Sequence, residues 1–236
     1  MDIPKIINVD STKTEEVKSA LVLGFATDPI FRWIFPDPMK FLRSMAFWMV
    51  EFSKPSFENK GVFADENFHG ASLWHPPGVH FNPEVLSSSF ADIPEERIED
   101  VLEFFNELGD FQPNQDHWYL AFIALDPSKQ GMGLGSLILK EALKVIDAQG
   151  KLAYLQSSNP QNISLYLRHG FEVMGEIQVG SSPVMTPMKR NPQGDTRLPR
   201  CLLNSTSTCG SLLPSPQISQ ELFVAVHPPS FTRRDA

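Results

Sequence analysis

Leu125-Asp126-Pro127-Ser128-Lys129-Gln130-Gly131-Met132-Gly133-Leu134-Gly135-Ser136-Leu137-Ile138-Leu139 joins an apolar run to a segment with helical spacing. The run before it, His117 to Leu125, is apolar on both faces, as a central strand is, and stops at Asp126-Pro127. From Gly133 onward, Leu134, Leu137, Ile138, Ala142, Val145 and Ile146 recur with the period of a helix until Gly150 ends it. The spacing therefore predicts a strand, a glycine-rich turn and a helix start. Such a turn points several main-chain N–H groups in one direction at the positive end of a helix dipole, a geometry that binds phosphate oxygens. A dinucleotide loop needs G-x-G-x-x-G early in a βαβ unit, and a P-loop ends in Gly-Lys-Ser/Thr; the glycines here follow neither pattern. A turn that only caps its helix is the plain alternative.

A second string, Asn159-Pro160-Gln161-Asn162-Ile163-Ser164-Leu165-Tyr166-Leu167-Arg168-His169-Gly170-Phe171, follows one helix and one strand later. In the first string Leu125, Pro127, Gln130, Gly131, Gly133 and Gly135 fill the pattern Val/Leu-x-Pro-x-x-Gln/Arg-Gly-x-Gly-x-Gly/Ala. In the second, Asn159, Asn162, Leu165, Tyr166, Gly170 and Phe171 fill Asn-x-x-Ala/Asn-x-x-Leu-Tyr-x-x-x-Gly-Phe. In this order and spacing the two strings resemble the acetyl-CoA signatures of the GNAT N-acetyltransferases. The resemblance covers residues 1–190 and is strongest over 117–177. Trp74, Pro76-Pro77-Gly78 and His117-Trp118-Tyr119-Leu120 are similar to the subgroup that includes puromycin N-acetyltransferase. The fold implied is α/β, a mixed and mostly antiparallel central sheet flanked by helices.

The resemblance implies acetyl-CoA as co-substrate, no metal, and direct acetyl transfer to an amine. Gln130, Gly131, Met132, Gly133, Leu134, Gly135 and Ser136 would hold the diphosphate through main-chain N–H groups. Ile123, Ala124 and Leu125 would pair with the pantetheine arm as with an added strand. Asn159 and Asn162 would hold the cofactor backbone, although Asn159 ahead of Pro160 also reads as a helix N-cap. Tyr166 is the expected general acid toward the leaving thiolate, because a phenol stays protonated at neutral pH; its plain alternative is a packing tyrosine. His117 is a candidate base at the start of its strand, with His75 and an acidic helix as competitors. The acceptor expected is a small-molecule amine such as a xenobiotic, antibiotic or secondary metabolite. A protein or peptide acceptor and a non-catalytic acyl-CoA-binding module are the alternatives.

Composition narrows the classes further. With 42% hydrophobic residues among 236, the chain can bury one sizeable core. A net charge of −8 argues against a nucleic-acid partner, which would need a basic face. No apolar run is long enough to span a bilayer, and Met1-Asp2-Ile3-Pro4-Lys5 lacks the layout of a signal peptide, so a cytoplasmic protein, monomer or homodimer, is expected. Cys201 and Cys209 both lie near the C-terminal end, which removes a cysteine nucleophile from the folded body.

Before the first string, the pattern predicts a strand over 3–9, a helix carrying Val17, Ala20, Leu21 and Phe25, and an aromatic segment over 27–37 broken by prolines. A second helix is expected to end at Lys54-Pro55, and a hairpin over 61–74 follows. Residues 79–115 read as a helical insertion, with Ile98, Val101, Leu102, Phe105 and Leu108 on one face. Glu95, Glu96, Glu99, Asp100, Glu103 and Glu107 lie on the other, most simply a solvated face. Strands are expected at 152–155, 171–177 and 184–188, with a short helix over 160–168. Residues 191–236, with six prolines and six serines, are expected to form a disordered tail beyond a domain of residues 1–190.

Overall fold

The computed structural model describes residues 4–79 and 87–194. Among these residues, seven strands form one sheet in the order β1-β2-β3-β4-β5-β7-β6. They are β1 (Ile6–Asn8), β2 (Val62–Asp65), β3 (Gly70–His75), β4 (His117–Leu125), β5 (Leu152–Ser157), β6 (Glu172–Val173) and β7 (Thr186–Arg190). Only β4 and β5 run parallel; every other pairing is antiparallel. The mixed, mostly antiparallel sheet is the one expected.

Helices α1 (Thr14–Gly24), α2 (Pro29–Ile34), α3 (Pro38–Glu58) and α4 (Ile98–Asp110) contribute to a core on one face. There Leu21, Ile34, Met45, Trp48 and Phe104 pack with Phe122 and Ala124 of β4. On the other face α5 (Leu134–Ala148) and α6 (Ile163–Arg168) cover Trp118, Leu120 and Leu155 with Ile138, Leu139, Ala142 and Tyr166.

The change of face along β4 comes from one extra residue. Leu73 pairs with Phe122 and Trp74 with Leu120, so Ala121 is left between them as a bulge. Because strand side chains alternate, a one-residue insertion reverses their direction. Trp118 and Leu120 therefore face α5, Phe122 and Ala124 face α1 to α4, and Ile123 and Leu125 return to the α5 side. Gly24 lets α1 press on the far end of this strand: a Cβ there would come within 2.6 Å of Ala124 Cβ and 2.7 Å of the Leu125 carbonyl oxygen.

Helix α3 runs through Pro55 instead of ending there. Proline removes the N–H that would bond the Glu51 carbonyl, but nearby groups brace this turn. Asn59 Nδ2 donates to the Pro55 carbonyl at 2.8 Å, and His75 Nε2 donates to that of Phe52 at 2.8 Å. The strand expected over 171–177 is only Glu172–Val173, with Ile177 reaching a single bridge to Met185. The beginning of the helical insertion is fastened to α3. Asp92, buried, accepts from Arg43 and from Ser44 Oγ, and Trp48 Nε1 donates to Ser89 Oγ at 2.8 Å. The chain stays attached to the body as far as Gln193, whose N–H donates to Asp147 at 2.9 Å; the tail beyond residue 194 lies outside the described residues.

Candidate active site

Asp126 builds the glycine turn from its first residue. Its N–H donates to His69 O at 2.7 Å and its Oδ1 accepts from Ser128 N at 2.8 Å, which closes a short helical turn over Pro127–Lys129. The chain then passes through left-handed backbone at Gly131 (φ 74°) and Gly133 (φ 85°), conformations that glycine adopts without a Cβ penalty. Gly133 is the N-cap of α5 and supplies no side chain to it. Among the described residues, no hydrogen bond occupies the main-chain N–H groups of Gly131, Met132, Gly133, Leu134, Gly135 or Ser136. A Cβ at Gly131 or Gly133 would meet nothing within 4 Å, so the cradle is open. Free amides, open space and a helix of 15 residues behind them suit a diphosphate. Gln130 is exposed, with Nε2 at 3.4 Å from the Leu125 carbonyl.

The strand leading into the turn has a free edge. Pairing of β4 with β5 ends at Leu120↔Leu155, while β4 continues to Leu125 and β5 to Ser157. The strands diverge after the bulge, and among the described residues Ile123, Ala124 and Leu125 of β4 pair with β3 alone. An extended pantetheine arm could take the missing place. These features fit acetyl-CoA.

The second string closes the site from the other side. Asn159 caps the turn before α6, its Oδ1 accepting from Gln161 N at 3.0 Å, so the N-cap reading holds for this side chain. Ser136 Oγ lies 2.7 Å from His169 Nε2, tying the glycine turn to the end of α6. Burial, with Arg168, Arg190 and Lys140 nearby, lowers the pKa of His169 and favours its neutral ring.

A cavity of about 90 Å³ opens where β4 and β5 part. Ile123, Ser157, Ser158, Asn162 and Tyr166 line it, together with Phe25, Phe31, Trp48, Phe52 and Phe105. Tyr166 is buried, and its hydroxyl has no hydrogen-bond partner among the described residues. Burial first, and the Asp28 carboxylate second, raise its pKa above that of an ordinary phenol, so it keeps its proton. Tyr119 donates to Gln156 Oε1 at 3.2 Å, and burial pushes its pKa up to about 12. Gln156 Nε2 in turn donates to the Leu108 carbonyl at 2.7 Å and to the Tyr154 hydroxyl at 2.8 Å, pinning α4 against β5. The side of α4 bearing Phe104, Phe105 and Leu108 faces the cavity, and none of its acidic residues lines it.

Residues 102–171 match the Acetyltransferase (GNAT) family. The chain has the GNAT acetyltransferase fold. The matched segment holds both motifs and Tyr166 of the cavity lining. A Corynebacterium glutamicum protein described as histone acetyltransferase HPA2 and related acetyltransferase shares the GNAT fold at a TM-score of 0.60 and 23% identity, over 82% of this chain and 98% of that one. The Drosophila melanogaster polyamine N-acetyltransferase that forms N-acetylagmatine aligns at a TM-score of 0.58 and 14% identity, over 80% and 100%. Arylalkylamine N-acetyltransferase 2 of Aedes aegypti aligns at 0.58 and 12%, over 81% and 100%.

Two base candidates from the sequence, His117 and His75, are not among the residues that line the cavity. His117 begins β4 two residues before Tyr119, which does line it, with its Nδ1 2.9 Å from the Gln115 carbonyl and its ring 5.5 Å from that of Tyr154. His75 is buried, stacks on Phe52 and gives its Nε2 proton to the Phe52 carbonyl; burial lowers its pKa. The residue that sequence reasoning passed over is Asp28. It caps α2 through Oδ1, accepting from Ile30 N at 3.0 Å and Phe31 N at 3.1 Å, while Oδ2 accepts from Ser158 Oγ. It is 6% exposed, and burial raises its pKa against the opposing effect of Ser158, Phe31 and Ile30. The signal in the sequence was Asp-Pro before an aromatic run, which reads equally well as a cap alone. Among the described residues, no group of three or more His, Cys, Asp or Glu could hold a metal, and no helix is long and apolar enough to cross a membrane.

Proposed function

We propose that this chain is an acetyl-CoA-dependent N-acetyltransferase that acylates the amine of a small molecule by direct attack. The observation that carries the reading is the shared cavity: the free edge of β4 and the Tyr166 hydroxyl open onto the same space as the aromatic lining. Two reactants held there meet without a bimolecular encounter, the largest advantage such a site offers.

Acetyl-CoA supplies an acyl group activated as a thioester. The amides from Gly131 to Ser136 hold its diphosphate, the β4 edge at Ile123, Ala124 and Leu125 aligns its arm, and Asn162 lies beside that path. The amine nitrogen forms the new bond to the acyl carbon as the carbon–sulfur bond breaks. Tyr166 gives its proton to the departing sulfur. The nitrogen loses a proton toward Ser158, whose own proton passes to Asp28, a carboxylate made more basic by burial. The products are an amide and a thiol, and proton exchange with solvent restores Tyr166 and Asp28.

The small-molecule acceptor is supported by the cavity and by structural neighbours named for agmatine and arylalkylamine acetylation. Membership of the puromycin N-acetyltransferase subgroup rests on the sequence strings alone. Thiol release from acetyl-CoA across a panel of small amines tests the proposal. Turnover with at least one amine is the expected result; CoA binding without turnover of any amine would leave a binding module instead.

A further inference from the structure

The cavity lining holds few polar groups. Ser158, Asn162 and Tyr166 are among them, with Asp28 directly behind Ser158. The rest of the lining is chiefly rings and aliphatic chains, and no charged side chain among the described residues takes part. The polar groups toward α4 are already engaged. Tyr119 donates to Gln156 Oε1, and Gln156 Nε2 donates to the Leu108 carbonyl and the Tyr154 hydroxyl.

The rings are also engaged with one another. Phe122 meets Phe25 at 5.5 Å and Phe52 at 5.0 Å, both with interplanar angles of 86°, and Phe31 meets Trp48 at 6.0 Å and 81°. In edge-to-face packing a ring edge occupies a neighbour's face. Faces so occupied do not converge into the cage that holds a cation by its charge.

We infer that the acceptor carries one amine on a single-ring apolar body, and that the cavity rejects diamines and polyamines. The inference rests on the N-acetyltransferase reading and names its substrate class. The nitrogen lies toward Ser158 and Tyr166, and the ring lies against the aromatic lining. A second ammonium would lose its water with no carboxylate to replace it, which is costly for any buried ion. Size points the same way. A dry cavity of about 150 Å³ accepts benzene, so the roughly 90 Å³ here admits a single ring only as its lining moves, which favours a small body.

The test uses the full chain with saturating acetyl-CoA and two probes, 2-phenylethylamine and 1,5-diaminopentane. Thiol release gives kcat/KM for each, and calorimetry gives the binding of each to the CoA complex. A preference of ~100-fold or more for 2-phenylethylamine is expected. A diamine used within about tenfold of it, or better, overturns the inference while leaving the N-acetyltransferase reading intact. If neither amine releases thiol, that reading loses its support from these probes and calorimetry decides the specificity: selective binding of 2-phenylethylamine upholds it, and equal or absent binding overturns it. Phe105→Glu, which adds a carboxylate to the lining, is expected to narrow the preference about tenfold, whereas Phe105→Gln, of similar size, leaves it within about twofold of its own uncharged baseline.

Discussion

The Ser158 hydroxyl donates to Oδ2 of Asp28, so one buried carboxylate joins the end of β5 to the first turn of α2. The other oxygen of Asp28 caps that turn. The helix that begins there brings Phe31 to the cavity, and Ser158 lies beside Asn159 at the opening of the second motif. The same side chain therefore holds one cavity wall in place and, in the proposed mechanism, receives the proton.

Asp28→Asn separates these two duties. Asparagine caps a helix about as well as aspartate, so α2 keeps its first turn, while the base is lost. The expected result is a fall in kcat/KM of roughly 10²- to 10⁴-fold with little change in melting temperature. The pH profile gives the sign. Burial raises the pKa of Asp28, so in the wild type kcat/KM declines as pH falls through a value above the ordinary carboxylate range. The variant loses that limb, and an unchanged acidic limb would exclude Asp28 as the base.

Tyr166→Phe removes a hydroxyl that has no hydrogen-bond partner among the described residues, and it leaves the ring contact with Phe171 at 5.9 Å. Packing is preserved and the proton is not. We expect kcat to fall by about 10²-fold or more, with the KM for acetyl-CoA within about twofold of wild type. Because burial and Asp28 raise the Tyr166 pKa, the wild-type enzyme should show no loss of activity from this group until the pH exceeds that of an ordinary phenol. Steady-state kinetics across pH test both statements; wild-type turnover in the variant would remove the acid role.

The sheet, the glycine turn and the position of Tyr166 were legible in the sequence because each rests on local chemistry: alternation, glycine at positive φ, a helical period. The bulge at Ala121 was not. β4 is apolar on both faces, so an added residue leaves the hydrophobic pattern unchanged. The passage of α3 through Pro55 was hidden because its braces, Asn59 and the distant His75, mean little until the chain has folded. Asp28 was visible as a cap, but its partner Ser158 lies 130 residues away. His117 was chosen for its titration range and its place at the start of β4, and neither property says which neighbouring side chains its ring meets once the chain has folded.

Gly133 should be intolerant of side chains for a conformational reason. Its φ is 85° and a Cβ would find open space, so Gly133→Ala costs through backbone strain alone. A left-handed residue other than glycine costs about 1 to 2 kcal/mol. If the turn yields to that strain and its amides spread, the Kd for CoA should rise ~5- to 30-fold. Calorimetric titration with CoA measures this, and a variant that binds as wild type would show that the amide arrangement at Gly133 is not what grips the diphosphate.

Arg190 and Asp147 tie the end of β7 to α5 by two hydrogen bonds of 2.6 and 2.8 Å, and Arg190 Nε also reaches the His169 carbonyl at 2.7 Å. Arg190 is 6% exposed, so losing Asp147 strands a buried guanidinium. Asp147→Asn should destabilise the protein by about 3 to 5 kcal/mol at neutral pH. Burial acts to raise the Asp147 pKa, but the bonds from Arg190 and Gln193 outweigh it and the net shift is downward. A carboxyl whose folded pKa is depressed contributes stability above its unfolded value, about 3.9, and loses it as pH falls through the folded one. The stability gap between wild type and Asp147→Asn, read from urea unfolding at a series of pH values, should therefore be full near neutrality and shrink progressively below about pH 4. A gap that stays constant into acid would mean that the loss comes from packing and not from the charge on Asp147.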